Sequence, residues 1–544
     1  MNMLRTLFYV SFIILLFSCK EPPIRPVIRL IPQPAQGTDQ DGVFTITAAT
    51  RIGISNENEE LRRIAGFLSS HIEKYFGIGN GAITAYDFGV KQSIFLKLDP
   101  NLKIGKEDYH LSVLPEGVVI EASATNGIFY GVQTLIQLMP PSPKQLTEVI
   151  LPAVDINDTP RFSWRGLQLD VSRHFMPKTF IMKFIDEMAM HKFNTLQWHL
   201  ADDQGWRIEI KKYPRLTETG AVRKSTMIGH IKEPAGIDTV ASTGYYSQND
   251  VHEIVTYAAD RYITIIPEIG MPGHALAALA AYPEMGCTGA PYEVATRWGI
   301  FSDVYCPGKE ETFTILNDVL TEIAAMFPGK YLHIGGSDCI DSRWEICPQC
   351  QLRMKNDSLS STRELHNYFV NRISKMLIPL GKERVGWNEL LKDTSQTKGV
   401  IISWQGEEAT IVAAKKKIQI VQSQSKYLNF DQYQADPSSE PLAVGGLLTL
   451  EEVYNFEPIP ASLSKQEARY IIGVQGNIWT PYMKTPTIVE YMTFPRAAAL
   501  AEIAWSPKAS HDYQWFKKRL LIQLKRYTAE NITYSKAEFK TIAN

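Results

Sequence analysis

Three tryptophans, Trp387, Trp404 and Trp479, each stand at the end of a short apolar run, and His199, Asp202, Glu268 and Asp338 close others. Pyranose rings pack their apolar C–H faces on aromatic planes, while their hydroxyls need charged or amide partners. Tryptophans gathered with carboxylates and an arginine therefore describe a sugar pocket. Glycosidic bond cleavage usually takes two carboxyl groups, one of them a protonated general acid held near the bridging oxygen. The sequence thus asks which fold would bring these distant positions together.

Eight short apolar runs follow Pro160: GLQLDVS (166–172), TLQWHLADD (195–203), ITIIPEI (263–269), KYLHIGG (330–336), RVGWNEL (384–390), VIISWQG (400–406), IQIVQS (418–423) and GVQGNIW (473–479). Helical patterns lie between most of them, which predicts an α/β fold, a (β/α)8 TIM barrel. Active sites of such barrels form at the carboxyl ends of the strands, where the residues above lie. Before the barrel, SIFLKL (93–98), YHLSVL (109–114) and GVVIEA (117–122) read as strands, the last two as a hairpin about Pro115-Glu116. Glu59–Tyr75 and Ala124–Gln137 have helical apolar spacing. The expected organisation is a leader over 1–18, a tether over 19–36, an α/β accessory domain over 37–157, the barrel over 158–505, and a helical segment over 506–544 packing on the barrel.

Of the 544 residues, 44% are hydrophobic and 21% charged, which excludes a largely disordered chain. A net charge of −2 supplies no basic surplus for phosphates, so nucleic acid is not an expected partner. The basic run Lys415-Lys416-Lys417 reads as a solvated helix end. Oligomeric state is not legible.

The segment LFYVSFIILLF (7–17) behind Arg5 is too short to span a bilayer and suits a signal-peptide core. Ser18-Cys19 after it resembles the lipobox of bacterial lipoproteins, which implies lipidation at Cys19, export, and attachment to the outer membrane through that lipid alone. Pro22, Pro23, Pro26, Pro32 and Pro34 predict a semi-rigid spacer behind the anchor. Five cysteines remain, Cys287, Cys306, Cys339, Cys347 and Cys350. Cys347-Pro-Gln-Cys350 has the spacing of half a zinc site, but no matching second half is visible, and export favours disulfides or free thiols. No metal or cofactor is expected, and Cys339 is the expected leftover thiol.

Longer segments carry a resemblance. WRGLQLDVSRHF (164–175), WHLADDQGWR (198–207), PEIGMPGH (267–274), HIGG (333–336), GWNE (386–389) and QGNIW (475–479) resemble glycoside hydrolase family 20, the β-N-acetylhexosaminidases, and NGIFYGVQTL (126–135) is similar to that family's accessory domain. The resemblance implies substrate-assisted, retaining removal of terminal GlcNAc or GalNAc, the acetamido oxygen of the sugar attacking its own anomeric carbon. It places an Asp-Glu pair after HIGG, the Asp orienting the acetamido group and the Glu acting as general acid. Here the pair is Ser337-Asp338.

Three further acidic positions of the family pattern are Gly270, Asn429 and Pro481, the last two where sugar hydroxyls are bound. What is retained implies roles: Arg165 for a sugar hydroxyl, Trp387, Trp404 and Trp479 as the walls, Tyr427 for the acetamido oxygen, and Asp202 with His274 as the relay behind Asp338. Glu268 and Glu389 read as supporting groups, with the option of a substitute acid. The neutral Ser337 and the shortened Asp338 predict a slow enzyme or one with altered specificity. The alternative is a catalytically impaired relative acting as a glycan-binding surface lipoprotein.

Overall fold

The computed structural model describes residues 29–79, 83–85, 89–141, 143–392 and 399–542. The leader, Cys19 and the first part of the tether lie outside the described residues.

The eight expected strands form one closed parallel barrel. In chain order they are Trp164–Asp170, Thr195–Asp202, Thr264–Met271, Tyr331–Gly335, Glu383–Trp387, Gly399–Ser403, Gln419–Gln422 and Ile471–Ile478. Each pairs with the next, and the eighth closes on the first, with Gly473 opposite Trp164 and Ile478 opposite Leu169. Strands buried on both faces read as continuous apolar runs, which is why they are visible in the sequence. Helices such as Lys178–Met190, Gln248–Ala259, Glu310–Met326 and Thr362–Leu377 cover the outside. The fifth strand is followed by a 3-10 turn, Asn388–Lys392.

Inside the barrel an apolar layer of Trp164, Ile266, Val385, Val400, Ile402 and Val421 supports the tryptophans. A layer of amides and charges is threaded through it. Gln475 Nε2 donates to Gln197 Oε1 at 2.7 Å, and Gln197 Nε2 donates to Glu268 Oε2 at 2.7 Å. This chain of donors ends on Glu268 and fixes its carboxylate in one orientation.

Among the described residues the accessory domain is a seven-stranded mixed sheet with the helices Glu59–Phe76 and Thr125–Leu138 packed on it. The hairpin of Tyr109–Leu114 and Gly117–Ala122 is antiparallel, with Leu114 opposite Gly117. The helix Tyr513–Ala529 reaches both domains: Arg519 pairs with Glu502 beside the barrel, and Arg526 donates to the Gln137 carbonyl of the accessory domain.

The tether needs correction over its second part. Residues 29–36 are not a free spacer but a docked strap. Leu30 and Ile31 are buried. Ile31 N donates to Gln137 Oε1 at 3.0 Å, Gln33 N to Glu502 Oε2 at 2.8 Å, and Ala35 N to Asp158 Oδ1 at 2.8 Å. Proline removes N–H donors but leaves these three amides free to bond, and two apolar side chains between prolines can be buried.

Candidate active site

The turn after the first barrel strand begins the site. Asp170 Oδ1 accepts from the backbone N–H of Ser172 (2.8 Å) and Arg173 (3.2 Å), and Asp170 Oδ2 accepts from Thr480 N (3.1 Å). This Asx-type turn ends the strand and throws the Arg173 side chain over the barrel mouth. Arg173 Nη2 then reaches Asp202 Oδ2 at 2.8 Å, and its guanidinium lies 5.3 Å from the Trp479 ring.

Asp202, at the end of the second strand, is the hub. It also lies 2.8 Å from His199 Nε2 and 3.1 Å from His274 Nδ1. His274 Nδ1 is shared with Asp203 Oδ2 at 3.0 Å, and His274 Nε2 faces Asp338 Oδ2 at 3.6 Å. Burial works against charge on the imidazole, but the Asp202 carboxylate and the bonds to Asp202, Asp203 and Asp338 hold its pKa well above the ordinary histidine value. Burial likewise favours the neutral form of Asp202, yet Arg173 and His274 keep it well below the carboxylate range.

His274 and Asp338 both have left-handed backbones, φ +55° and +51°. Non-glycine residues in that region cost on the order of 1–3 kcal/mol and cluster at functional sites. Their loops touch through Gly273, where a Cβ would lie 2.8 Å from the Asp338 carbonyl oxygen. Gly335 (φ +75°) and Gly336 (φ +93°) turn the chain out of the fourth strand directly before Ser337.

Glu268 stands 2.7 Å from His199 Nδ1 and accepts from Trp387 Nε1 at 3.2 Å. Burial would raise its pKa, but His199 and His333 hold it well below the carboxylate range. It is ionised and fully engaged, so it is no substitute acid. Glu389 is committed too, accepting from Trp404 Nε1 (3.1 Å) and Gln405 Nε2 (2.9 Å).

His199 is buried, which disfavours its charge, but Glu268 and the bond to Asp202 raise its pKa to about 9. A pKa raised in the folded state contributes stability that is complete below the unfolded value near 6.5 and is lost as pH rises through about 9. A shift of this size corresponds to about 3 kcal/mol. The apparent melting temperature is expected to fall between pH 6.5 and 9.5, and His199→Gln to flatten that fall. Parallel slopes for both proteins would show that the pair carries no such linkage.

These groups line a hollow of about 220 Å³ whose wall includes Arg173, His199, Asp202, Glu268, His274 and Asp338. Trp387, Trp404 and Trp479 stand around it, and Ser337 and Asn429 also face it. Trp387 and Trp479 are 5.9 Å apart and inclined by 45°. A groove of about 420 Å³, lined by Ile300, Arg363, His366 and Glu389 among others, begins at Gly336 and Asp338. Asp338 is thus shared by two adjoining spaces.

Two expected site residues do not come to the hollow. Arg165 is the second residue of its strand, hence at the opposite end of the barrel. Its guanidinium is buried and donates to Glu107 Oε1 (2.7 Å) and Oε2 (2.9 Å), and to the Lys192 and Phe162 carbonyls. It joins the two domains. Tyr427 sits on the short helix Ser425–Leu428, stacks on Phe456 with ring centroids 5.1 Å apart, and is not among the residues that line the hollow. Three polar lining residues were not singled out from the sequence: Arg173, Asp431 and Asn477. Burial raises the pKa of Asp431 to about 7. The turn signal after the first strand marks Arg173. Asn477 sits inside the QGNIW segment and donates to Asn429 Oδ1 at 3.0 Å.

Comparison with known proteins agrees with this geometry. Residues 162–508 match the model for glycosyl hydrolase family 20, catalytic domain, and residues 27–159 the model for domain 2 of the same family. The chain belongs to glycosyl hydrolase family 20. It is 40% identical to a β-hexosaminidase of Porphyromonas gingivalis over 93% of this chain and 64% of that one, so it spans less than two thirds of that relative's length. It is 33% identical to a β-hexosaminidase of Vibrio furnissii over 87% of this chain and 76% of the relative. Among solved structures, the family 20 β-N-acetylhexosaminidase of Streptomyces coelicolor superposes with a TM-score of 0.82 at 30% identity, covering 94% of this chain and 98% of that one. A mutant Streptomyces plicatus β-hexosaminidase in complex with its product GlcNAc gives 0.81 at 31%, covering 94% and 98%.

Within the family 20 pattern, the five departures noted in the sequence, Gly270, Ser337, Asp338, Asn429 and Pro481, come from four separate stretches of chain, Gly270 from the end of the third strand and the rest from the segments that follow other strands. All of them line this one hollow.

Proposed function

We propose that the chain is an exo-acting β-N-acetylhexosaminidase that removes terminal GlcNAc or GalNAc with retention, slowly on the usual substrates. The observation that carries this reading is the place of Asp338, between a monosaccharide-sized hollow walled by tryptophans and a groove for the rest of the glycan. The acetamido oxygen attacks the anomeric carbon while Asp338 protonates the departing oxygen. Water then opens the oxazolinium ring, with Asp338 taking its proton. Relatives named β-hexosaminidase, and a neighbour holding GlcNAc as product, support the substrate class.

The test is release of phenol from aryl β-GlcNAc and β-GalNAc, with the anomer of the first-formed sugar read by NMR. Slow release of the β-anomer is expected. No release at high protein concentration, together with calorimetric binding of GlcNAc that Trp479→Ala abolishes, would establish the glycan-binding alternative instead.

Ser337 faces the hollow where the resemblance places the charge that steadies the oxazolinium ion. A charged hydrogen-bond partner is worth about 1 kcal/mol more than a neutral one. Ser337→Asp is therefore expected to raise kcat roughly fivefold, and an unchanged kcat would remove Ser337 from this role.

We also propose that the protein is exported and anchored to the outer membrane by lipid on Cys19. No helix among the described residues is long and apolar enough to cross a membrane. With residues 29–36 docked, the span from Cys19 to the folded body is at most roughly 33–36 Å. Metabolic labelling with a fatty-acid analogue that Cys19→Ala abolishes is the expected outcome.

A further inference from the structure

The unmatched half-site Cys347-Pro-Gln-Cys350 has a second half in space. Cys350 Sγ lies 3.8 Å from Cys287 Sγ and 3.5 Å from Cys306 Sγ, and Cys306 Sγ lies 3.8 Å from Cys347 Sγ. All four sulfurs fall within 4.8 Å of one another, with Cys306, Cys347 and Cys350 buried and Cys287 partly so. A tetrahedral zinc with Zn–S bonds near 2.3 Å places its sulfurs about 3.8 Å apart. Cys339, the expected leftover thiol, stands outside the group.

We propose that Cys287, Cys306, Cys347 and Cys350 hold one zinc ion in a closed, all-thiolate structural site. The backbone is arranged for it. Cys347 precedes the helix Pro348–Asn356 and Cys350 lies in its first turn. Cys287 and Cys306 are brought together by a bridge between Gly286 and Tyr305, and Cys306 N donates to the Met285 carbonyl at 2.8 Å.

Gly308 permits the approach of the two halves, since a Cβ there would fall 2.4 Å from Cys350 N. Val304, Trp344 and Leu365 exclude water around the sulfurs. Four thiolates and Zn²⁺ leave a charge of about −2. The Lys309 ammonium, bonded to the Glu284 and Gly286 carbonyls beside Cys287, lies where it offsets part of that charge. The clamp joins the loop that carries His274 to the loop that carries Ser337 and Asp338, holding the two halves of the relay in register.

The experiment is metal analysis of the purified full chain, prepared without chelator. One zinc per chain is expected, retained in Cys339→Ser and lost in the double variant Cys347→Ser/Cys350→Ser. Should the double variant fail to fold, the wild-type protein decides: a mercurial titrant should release one zinc per chain, and cobalt(II) exchanged into the site should give tetrathiolate charge-transfer absorption. Iron in place of zinc, no bound metal with free thiols, or two disulfides in the intact mass would each overturn the proposal.

Discussion

Asp338→Asn is expected to lower kcat/KM on a β-linked GlcNAc disaccharide by 10³-fold or more, while a dinitrophenyl β-GlcNAc loses tenfold or less. General acid catalysis contributes typically 10²–10⁴-fold, and only a poor leaving group needs all of it. A sugar alkoxide must be protonated as the bond breaks, whereas a dinitrophenolate leaves unaided. The difference between the two substrates therefore isolates the proton from every other property of residue 338. Geometry supports the assignment: the carboxyl is 37% exposed, opens on both adjoining spaces, and meets His274 Nε2 at 3.6 Å. Glu268 and Glu389 are tied to His199 and Trp404, so no other family-pattern carboxylate is free for the task. Equal losses on the two substrates would mean that Asp338 positions the sugar and that another group gives the proton.

Much of this site was legible because barrel geometry converts sequence position into spatial position. A polar or aromatic residue at the carboxyl end of a strand points to the mouth, and Asp202, His274, Asp338 and the three tryptophans all follow that rule. Arg165 fails it by standing at the amino end of its strand, so the same rule, applied to residue position instead of to residue type, selects Arg173. Tyr427 falls outside the rule because it lies beyond the end of the seventh strand, on the short helix Ser425–Leu428, where strand alternation no longer sets side-chain direction. The cysteine group was invisible for a different reason. Only one of its halves has a regular spacing; the other is assembled by a backbone bridge across the long loop between Cys287 and Cys306.

The two arginines offer the second large contrast. Arg173→Ala is expected to reduce kcat/KM by about 10²–10³-fold. It removes a cation 5.3 Å from the Trp479 ring and leaves Asp202, fully buried, with its charge balanced by His199 and His274. Both imidazoles would then be drawn toward Asp202, and the link from His274 to Asp338 would weaken, so kcat should fall along with sugar affinity. Arg165→Ala should leave kcat/KM within about twofold at a temperature where the protein is folded, because nothing it touches lines the hollow.

Its cost is to folding. Arg165 holds the Glu107 carboxyl below its usual range against the effect of burial, and breaking such a pair typically destabilises by 3–5 kcal/mol. The Glu107 and Arg165 contact joins the accessory domain to the barrel, so the loss should appear as earlier thermal separation of the two domains. Steady-state kinetics at 20 °C together with thermal melts of both variants make the comparison. A catalytic defect in Arg165→Ala with an unchanged melt would return that arginine to the sugar, and would require a barrel whose first strand runs the other way.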